Sequence, residues 1–120
     1  MAGAGNAEGR DGRVTRVLFV CGKARRRSPT AAALAAEMPG IEPDYAGLSA
    51  DADERVTAEH LEWAETIVLM EKRQHARLTR LLGPAPPGKR VVCLNIPDRY
   101  DFMEPALIER LRPALKRMFG

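Results

Sequence analysis

Four short apolar runs, separated by stretches with helical periodicity, restrict what this chain can fold into more than any other feature. Val14–Val20 (VTRVLFV), Tyr45–Ala50, Thr66–Met70 (TIVLM) and Arg90–Leu94 (RVVCL) read as buried strands, rich in β-branched and aliphatic residues. Between them lie helix patterns. Ser28-Pro29 opens an Ala-rich helix from Thr30 to about Met38, with Ser28 as N-cap and Pro39-Gly40 as its stop. Thr57 caps a second helix within Val56–Ala64, Glu71–Leu82 is a charged amphipathic third closed by Gly83-Pro84, and Glu104–Met118 is the last. Pro113 predicts a kink or break inside that last helix. Strands alternating with helices imply an α/β fold: a single three-layer domain with a four-stranded parallel sheet flanked by helices. Right-handed crossovers bring every strand's C-terminal end to one edge, where ligands bind in such folds.

The 120 residues leave room for one domain, spanning 14–120. Residues 1–13 are Gly/Ala-rich and polar without an apolar segment, so they read as a disordered tail rather than a secretory leader. No apolar run approaches the roughly 20 residues of a membrane span. The net charge of +3 suits anionic substrates. The basic residues are interspersed with acids and only 5% of residues are aromatic, which argues against a nucleic-acid stripe. Two cysteines, Cys21 and Cys93, point to a reducing, cytoplasmic setting in which a thiol is catalytic or buried rather than bridged. They and the two histidines, His60 and His75, show no ligand spacing, so no metal site is expected. Cys93 reads as a small buried hydrophobe, Trp63 as core, and the histidines as surface residues.

The chemistry concentrates after the first strand, in Cys21-Gly22-Lys23-Ala24-Arg25-Arg26-Arg27-Ser28-Pro29. Successive backbone N–H groups in a tight loop, running into a helix start, form an anion cradle. A cysteine at the centre of such a cradle is favoured as thiolate, the nucleophilic form. Arg27 supplies a planar fork for two phosphate oxygens, and Ser28 can donate to the sulfur. A thiolate nucleophile needs an acid for its leaving group. Asp98, in the loop after the fourth strand (Ile96-Pro97-Asp98-Arg99-Tyr100), should overhang the same edge, with Asp101 and Glu104 as rivals. Tyr100 is either a wall for a flat substrate or a packing residue. Arg25 and Arg26 read first as solvated charge, and second as selectors of acidic substrates.

Cys-x5-Arg-Ser-Pro after the first strand, Ala46–Ser49 (AGLS), Leu61–Ala64, Leu69–Lys72 and the late Ile-Pro-Asp-x-Tyr resemble, in order, the low-molecular-weight protein tyrosine phosphatases, and most closely their short prokaryotic branch. The resemblance covers Arg16 to about Leu111. It implies Cys21 as nucleophile, Arg27 as phosphate-binding arginine, Ser28 as thiol-stabilising serine and Asp98 as general acid. Gly22, Lys23, Ala24, Arg25, Arg26 and Tyr100 then belong to substrate binding. The implied reaction hydrolyses a phosphorylated protein or small phosphoester through a phosphocysteine, releasing inorganic phosphate without a metal or cofactor. Three departures stand out. Ala24 replaces the family's loop-bracing asparagine, Arg26 replaces a second cysteine found in many members, and Asp101 replaces a second tyrosine.

Other functions remain compatible with these residues. An arsenate reductase on this fold would need further cysteines to pass oxidation along, and a phosphatase acting on phosphoarginine or another non-tyrosine phosphate group fits the same loop. A catalytically impaired phosphate- or phosphopeptide-binding module is the alternative outside enzymes. Ala24 is the feature in its favour; retention of both Cys21 and Asp98 is the feature against it.

Overall fold

The computed structural model describes residues 14–120; the expected N-terminal tail, residues 1–13, lies outside the described residues. The elements follow in strict alternation: β1 Thr15–Cys21, α1 Arg27–Ala35, β2 Ile41–Gly47, α2 Ala58–Trp63, β3 Thr66–Leu69, α3 Arg73–Leu82, β4 Arg90–Cys93 and α4 Pro105–Phe119. All strand pairs are parallel, in the order β2-β1-β3-β4. The three-layer α/β domain expected from the alternating pattern is the one observed.

Period-two alternation along β1 divides the core. Val17, Phe19 and Cys21 face a layer built from α1 and α4, where they meet Ala31, Leu34, Ala35, Leu107, Leu111 and Leu115. Leu18 and Val20 face the other layer, with Leu61 of α2, Leu78 of α3, Ile67 and Leu69. Because β1 is central and covered on both faces, Val17–Val20 are fully buried. Burial of that kind stabilises by roughly 1.5–3 kcal/mol per large aliphatic side chain. It also fixes the strand end from which Cys21 emerges.

Several elements differ from expectation, each for a local reason. Strand β2 starts at Ile41 rather than Tyr45, because Gly40 takes a positive φ of 82° and turns the chain into extended structure at once. It tolerates Pro43 because β2 is an edge strand. Helix α1 starts at Arg27 with Arg26 as its cap residue, so Ser28 is not the cap and its hydroxyl serves the cysteine instead. Helix α3 starts at Arg73, two residues late, since the buried Gln74 side chain accepts the N–H groups of Met70 (3.0 Å) and Glu71 (2.9 Å) and holds them in a turn. Helix α4 runs through Pro113 without a break. Cys93 ends the other edge strand and is half-buried, with its thiol 3.5 Å from Asn95 Oδ1. Trp63 is also half-buried, lying against the α2/α3 core with the Arg16 guanidinium over its ring. His60 is a capping residue: Thr57 N–H donates to its Nδ1 at 2.9 Å, and the His60 N–H donates back to Thr57 Oγ1.

Candidate active site

The β1–α1 loop wraps Cys21 in donors. The Ala24 N–H points at Cys21 Sγ from 3.2 Å, and Ser28 Oγ lies 3.0 Å from the same sulfur. Both partners are buried, as is Cys21 itself. The turn that aims the Ala24 N–H requires a left-handed backbone, φ 60°, at a residue with a Cβ. That conformation costs a non-glycine residue about 1–2 kcal/mol, less for asparagine. Ala24 therefore occupies a strained position that other contacts must maintain.

Those contacts come from the segment after β2. Leu48, Ser49 and Asp53 donate their N–H groups to the carbonyls of Cys21 (3.0 Å), Gly22 (2.8 Å) and Lys23 (3.0 Å). Gly47 permits the close approach: a Cβ there would lie 2.7 Å from Gly22 O and 2.9 Å from Ala24 N. Two ion pairs continue the seam, Lys23 Nζ to Asp51 at 3.1 Å and Arg25 Nε to Asp53 at 2.8 Å. Lys23 holds the Asp51 carboxyl below the usual carboxylate range, and Asp53 raises the Arg25 guanidinium above its ordinary value. Both pairs are exposed and individually weak. The backbone bonds carry the brace, and the pairs determine where the Lys23 and Arg25 side chains point.

Arg27 is 3% exposed, and its Nη1 is fully engaged by Ile96 O (2.7 Å) and Glu71 Oε1 (2.9 Å). No protein group among the described residues accepts from Nη2. Partial burial raises the Glu71 carboxyl, but the hydrogen bond and charge of Arg27, helped by Arg73, outweigh it and hold the group below its usual range. Asp98 Oδ1 approaches Arg27 Nε from the other side at 3.7 Å, with its carboxylate more than half exposed. A cavity of about 260 Å³ is lined by Cys21, Lys23, Arg25, Arg26, Arg27 and Asp98. The Cys21 sulfur, a buried arginine fork and an exposed carboxylate thus share one cavity.

The other sequence-derived residues fall into place around that cavity. Gly22 and Ala24 contribute backbone only, and Ser28 lies beneath the sulfur. Tyr100 is not a lining residue. Its ring is buried with Ile96, Leu107 and Leu111, and its hydroxyl accepts from Arg110 at 3.3 Å. Arg99, whose guanidinium lies over the ring, and Arg110 hold the phenol below its usual range. Asp101 and Glu104 close their own turn: the Asp101 N–H donates to Glu104 Oε1 at 2.9 Å and the Glu104 N–H returns to Asp101 O at 3.1 Å. Four supporting residues escaped the sequence reading: Glu71, Gln74, Asp51 and Asp53. The acidic run at 51–54 opposite a basic loop was the available signal for Asp51 and Asp53, and the Leu69–Lys72 segment of the family resemblance was the signal for Glu71; Gln74 carried none.

No protein-family model and no curated sequence matches the chain. Solved structures do match its fold. Wzb of Vibrio vulnificus, solved with benzylphosphonate, superposes with a TM-score of 0.69 over 87% of this chain and 96% of its own, at 19% identity. The YwlE arginine phosphatase of Geobacillus stearothermophilus gives 0.57 over 87% and 85%, at 25% identity. A thioredoxin-dependent arsenate reductase of Corynebacterium glutamicum gives 0.66 at 18% identity; the match covers 89% of this chain but 61% of that one. The chain therefore shares the fold of the low-molecular-weight phosphatases and of the arsenate reductases built on it.

Proposed function

We propose that this chain is a cysteine-dependent phosphomonoester hydrolase of the protein-tyrosine-phosphatase type, acting in a reducing, cytoplasmic compartment. The observation that carries the reading is the convergence on Cys21 Sγ of the Ala24 N–H and the Ser28 hydroxyl, in a cavity that also contains Arg27 and Asp98. A binding module would need the donors and the arginine but neither the nucleophile nor the acid.

In the first step the Cys21 thiolate attacks phosphorus, forming an S–P bond as the ester P–O bond breaks. Asp98, as the general acid, delivers a proton to the departing alcohol or phenol oxygen. Arg27 Nε and Nη2, with the loop N–H groups, hold the equatorial oxygens, and Glu71 and Ile96 O keep the guanidinium in plane with them. In the second step water attacks phosphorus and gives a proton to Asp98. The S–P bond breaks, and the Ser28 hydroxyl stabilises the returning thiolate. Inorganic phosphate leaves. An acid positioned in this way contributes about 10² to 10⁴ in rate, and no step requires a metal. Phosphorylated proteins and small phosphoesters are the substrates that this chemistry accepts. The test is hydrolysis of p-nitrophenyl phosphate in EDTA and reductant by wild type and Cys21→Ser: turnover in the first alone supports the reading, and equal rates remove it.

Arsenate reduction is the second reading, favoured by the fold shared with the Corynebacterium glutamicum enzyme. Arsenate resembles phosphate and would occupy the same cradle. Cys93 is poorly located to take part, since β3 separates β4 from β1 and puts it roughly 10 Å from the line of β1, beyond disulfide reach. Reduction by this chain would draw its electrons from an external dithiol. Arsenate-dependent consumption of a thioredoxin-type dithiol, unmatched by phosphatase turnover, would favour it.

A further inference from the structure

The cavity has four cations on its lining, and three of them are already committed. Lys23 is paired with Asp51, Arg25 with Asp53, and Arg27 with Glu71 and Asp98. Arg26 is the exception. It is exposed, lines the cavity, and has no carboxylate partner within 4 Å among the described residues. Its backbone is held at the carbonyl, which accepts Thr30 Oγ1 at 2.6 Å and the Thr30 N–H at 3.1 Å, and Thr30 Oγ1 in turn receives the Met103 N–H at 2.9 Å. The charge is thus carried from a fixed point next to Arg27, on a side chain free to reach outward. The lining also contains no aromatic residue, because Tyr100 is drawn into the core. A flat apolar leaving group finds no wall to stack on here; an anionic one finds a free guanidinium.

We propose that Arg26 is a specificity-determining residue that recognises a second anionic group, carboxylate or phosphate, on the substrate beside the phosphoryl group being transferred. This rests on the phosphatase reading for the primary phosphate in the Cys21–Ser28 cradle. It selects acidic phosphopeptides or small phosphoesters bearing an acid, and it disfavours a cationic leaving group such as the guanidinium of phosphoarginine. Arg25, held by Asp53, makes no comparable contribution.

Binding to Cys21→Ser protein reads this independently of turnover. The probes are 4-carboxyphenyl phosphate against its carboxamide, and a phosphotyrosyl peptide with flanking aspartates against the same peptide with asparagines; calorimetry gives the affinity ratio of each acid to its amide. An exposed but charge-assisted contact predicts a ratio of about fivefold, falling toward unity in Cys21→Ser/Arg26→Gln, weakening with added salt, and surviving in Cys21→Ser/Arg25→Gln. A preference in the small pair alone assigns the contact to a group on the leaving ring, and one in the peptide pair alone assigns it to neighbouring residues; either supports the proposal. A ratio near unity in both pairs, or one that Arg26→Gln leaves unchanged, overturns it. Failure of wild-type protein to turn over p-nitrophenyl phosphate would overturn the catalytic reading instead, and the affinity ratios would still be measured.

Discussion

Arg27 and Glu71 meet through a 2.9 Å hydrogen bond across 44 residues of sequence, with the guanidinium almost wholly buried. The residue proposed to grip phosphate is therefore itself gripped before any ligand arrives. Preorganisation of this kind spares the cost of ordering a long side chain at the moment of binding.

Replacing Glu71 with glutamine keeps a hydrogen-bond acceptor but removes the charge. A hydrogen bond to a charged group is worth about 1.5–3 kcal/mol, so kcat/KM for p-nitrophenyl phosphate should fall by about tenfold or more, through weaker phosphate binding. Inorganic phosphate inhibition measures that directly. The pH dependence has a definite sign. Folding lowers the Glu71 carboxyl below its ordinary value of 4.5, so its contribution is complete above that pH and is lost as pH falls through the lowered value. Denaturant titrations should show the stability gap between wild type and Glu71→Gln closing on acidification.

Gly47→Ala introduces a methyl group 2.7 Å from both Gly22 O and the Ala52 side chain. Overpacking of that severity costs about 1–3 kcal/mol. Because the seam it opens also maintains the strained Ala24 turn, activity should fall together with the melting temperature. Gly22→Ala is the control for stability, since a Cβ there meets nothing within 4 Å; its change should stay within about 0.5 kcal/mol.

Asp98→Asn should depend on the leaving group. Phosphate esters of poorly acidic alcohols need the proton, whereas p-nitrophenol departs largely without it. The loss in kcat should therefore reach about 10² or more for phenyl phosphate and be much smaller for p-nitrophenyl phosphate. Equal losses on the two would remove Asp98 from the acid role.

Thr57→Ala removes one half of the reciprocal cap with His60 and should cost about 1 kcal/mol. It lies outside the cavity lining, so kcat/KM should hold at temperatures where the variant is folded. Circular dichroism melting and a single rate assay decide this.

The fold was legible because its signals are local: apolar runs of strand length separated by stretches of helix length, although α1 ends at Ala35, four residues before the Pro39-Gly40 stop. So was the grouping of Cys21, Arg27 and Ser28, whose spacing from the end of β1 into α1 brings them together in one loop. The misreadings share a different cause, namely tertiary context. Strand β2 runs back to Ile41 through Pro43, which an edge position tolerates. Ser28 looks like a cap until its hydroxyl is found at the cysteine. Tyr100 follows Asp98 by two residues, but only packing against α4 shows that its ring turns inward. Glu71 reaches Arg27 through the turn that Gln74 ties; the Leu69–Lys72 segment marks the place but not the partner 44 positions away. The compensation for Ala24 was equally hidden. Its brace comes from the backbone donors of Leu48, Ser49 and Asp53, and the Ala46–Ser49 motif does not reveal that they bond to the Cys21–Lys23 carbonyls.

The central claim is a covalent bond between Cys21 and phosphorus. Asp98→Asn, slowed in the hydrolysis of that bond, should be mixed with p-nitrophenyl phosphate under reductant and EDTA, quenched in acid within the burst, digested, and read by mass spectrometry. The account predicts one phosphoryl group on the sulfur of the peptide containing Cys21, and none on Cys93 or in Cys21→Ser. Active wild-type enzyme that turns over substrate while no phosphocysteine is trapped, or a phosphoryl group found on another residue, would contradict it.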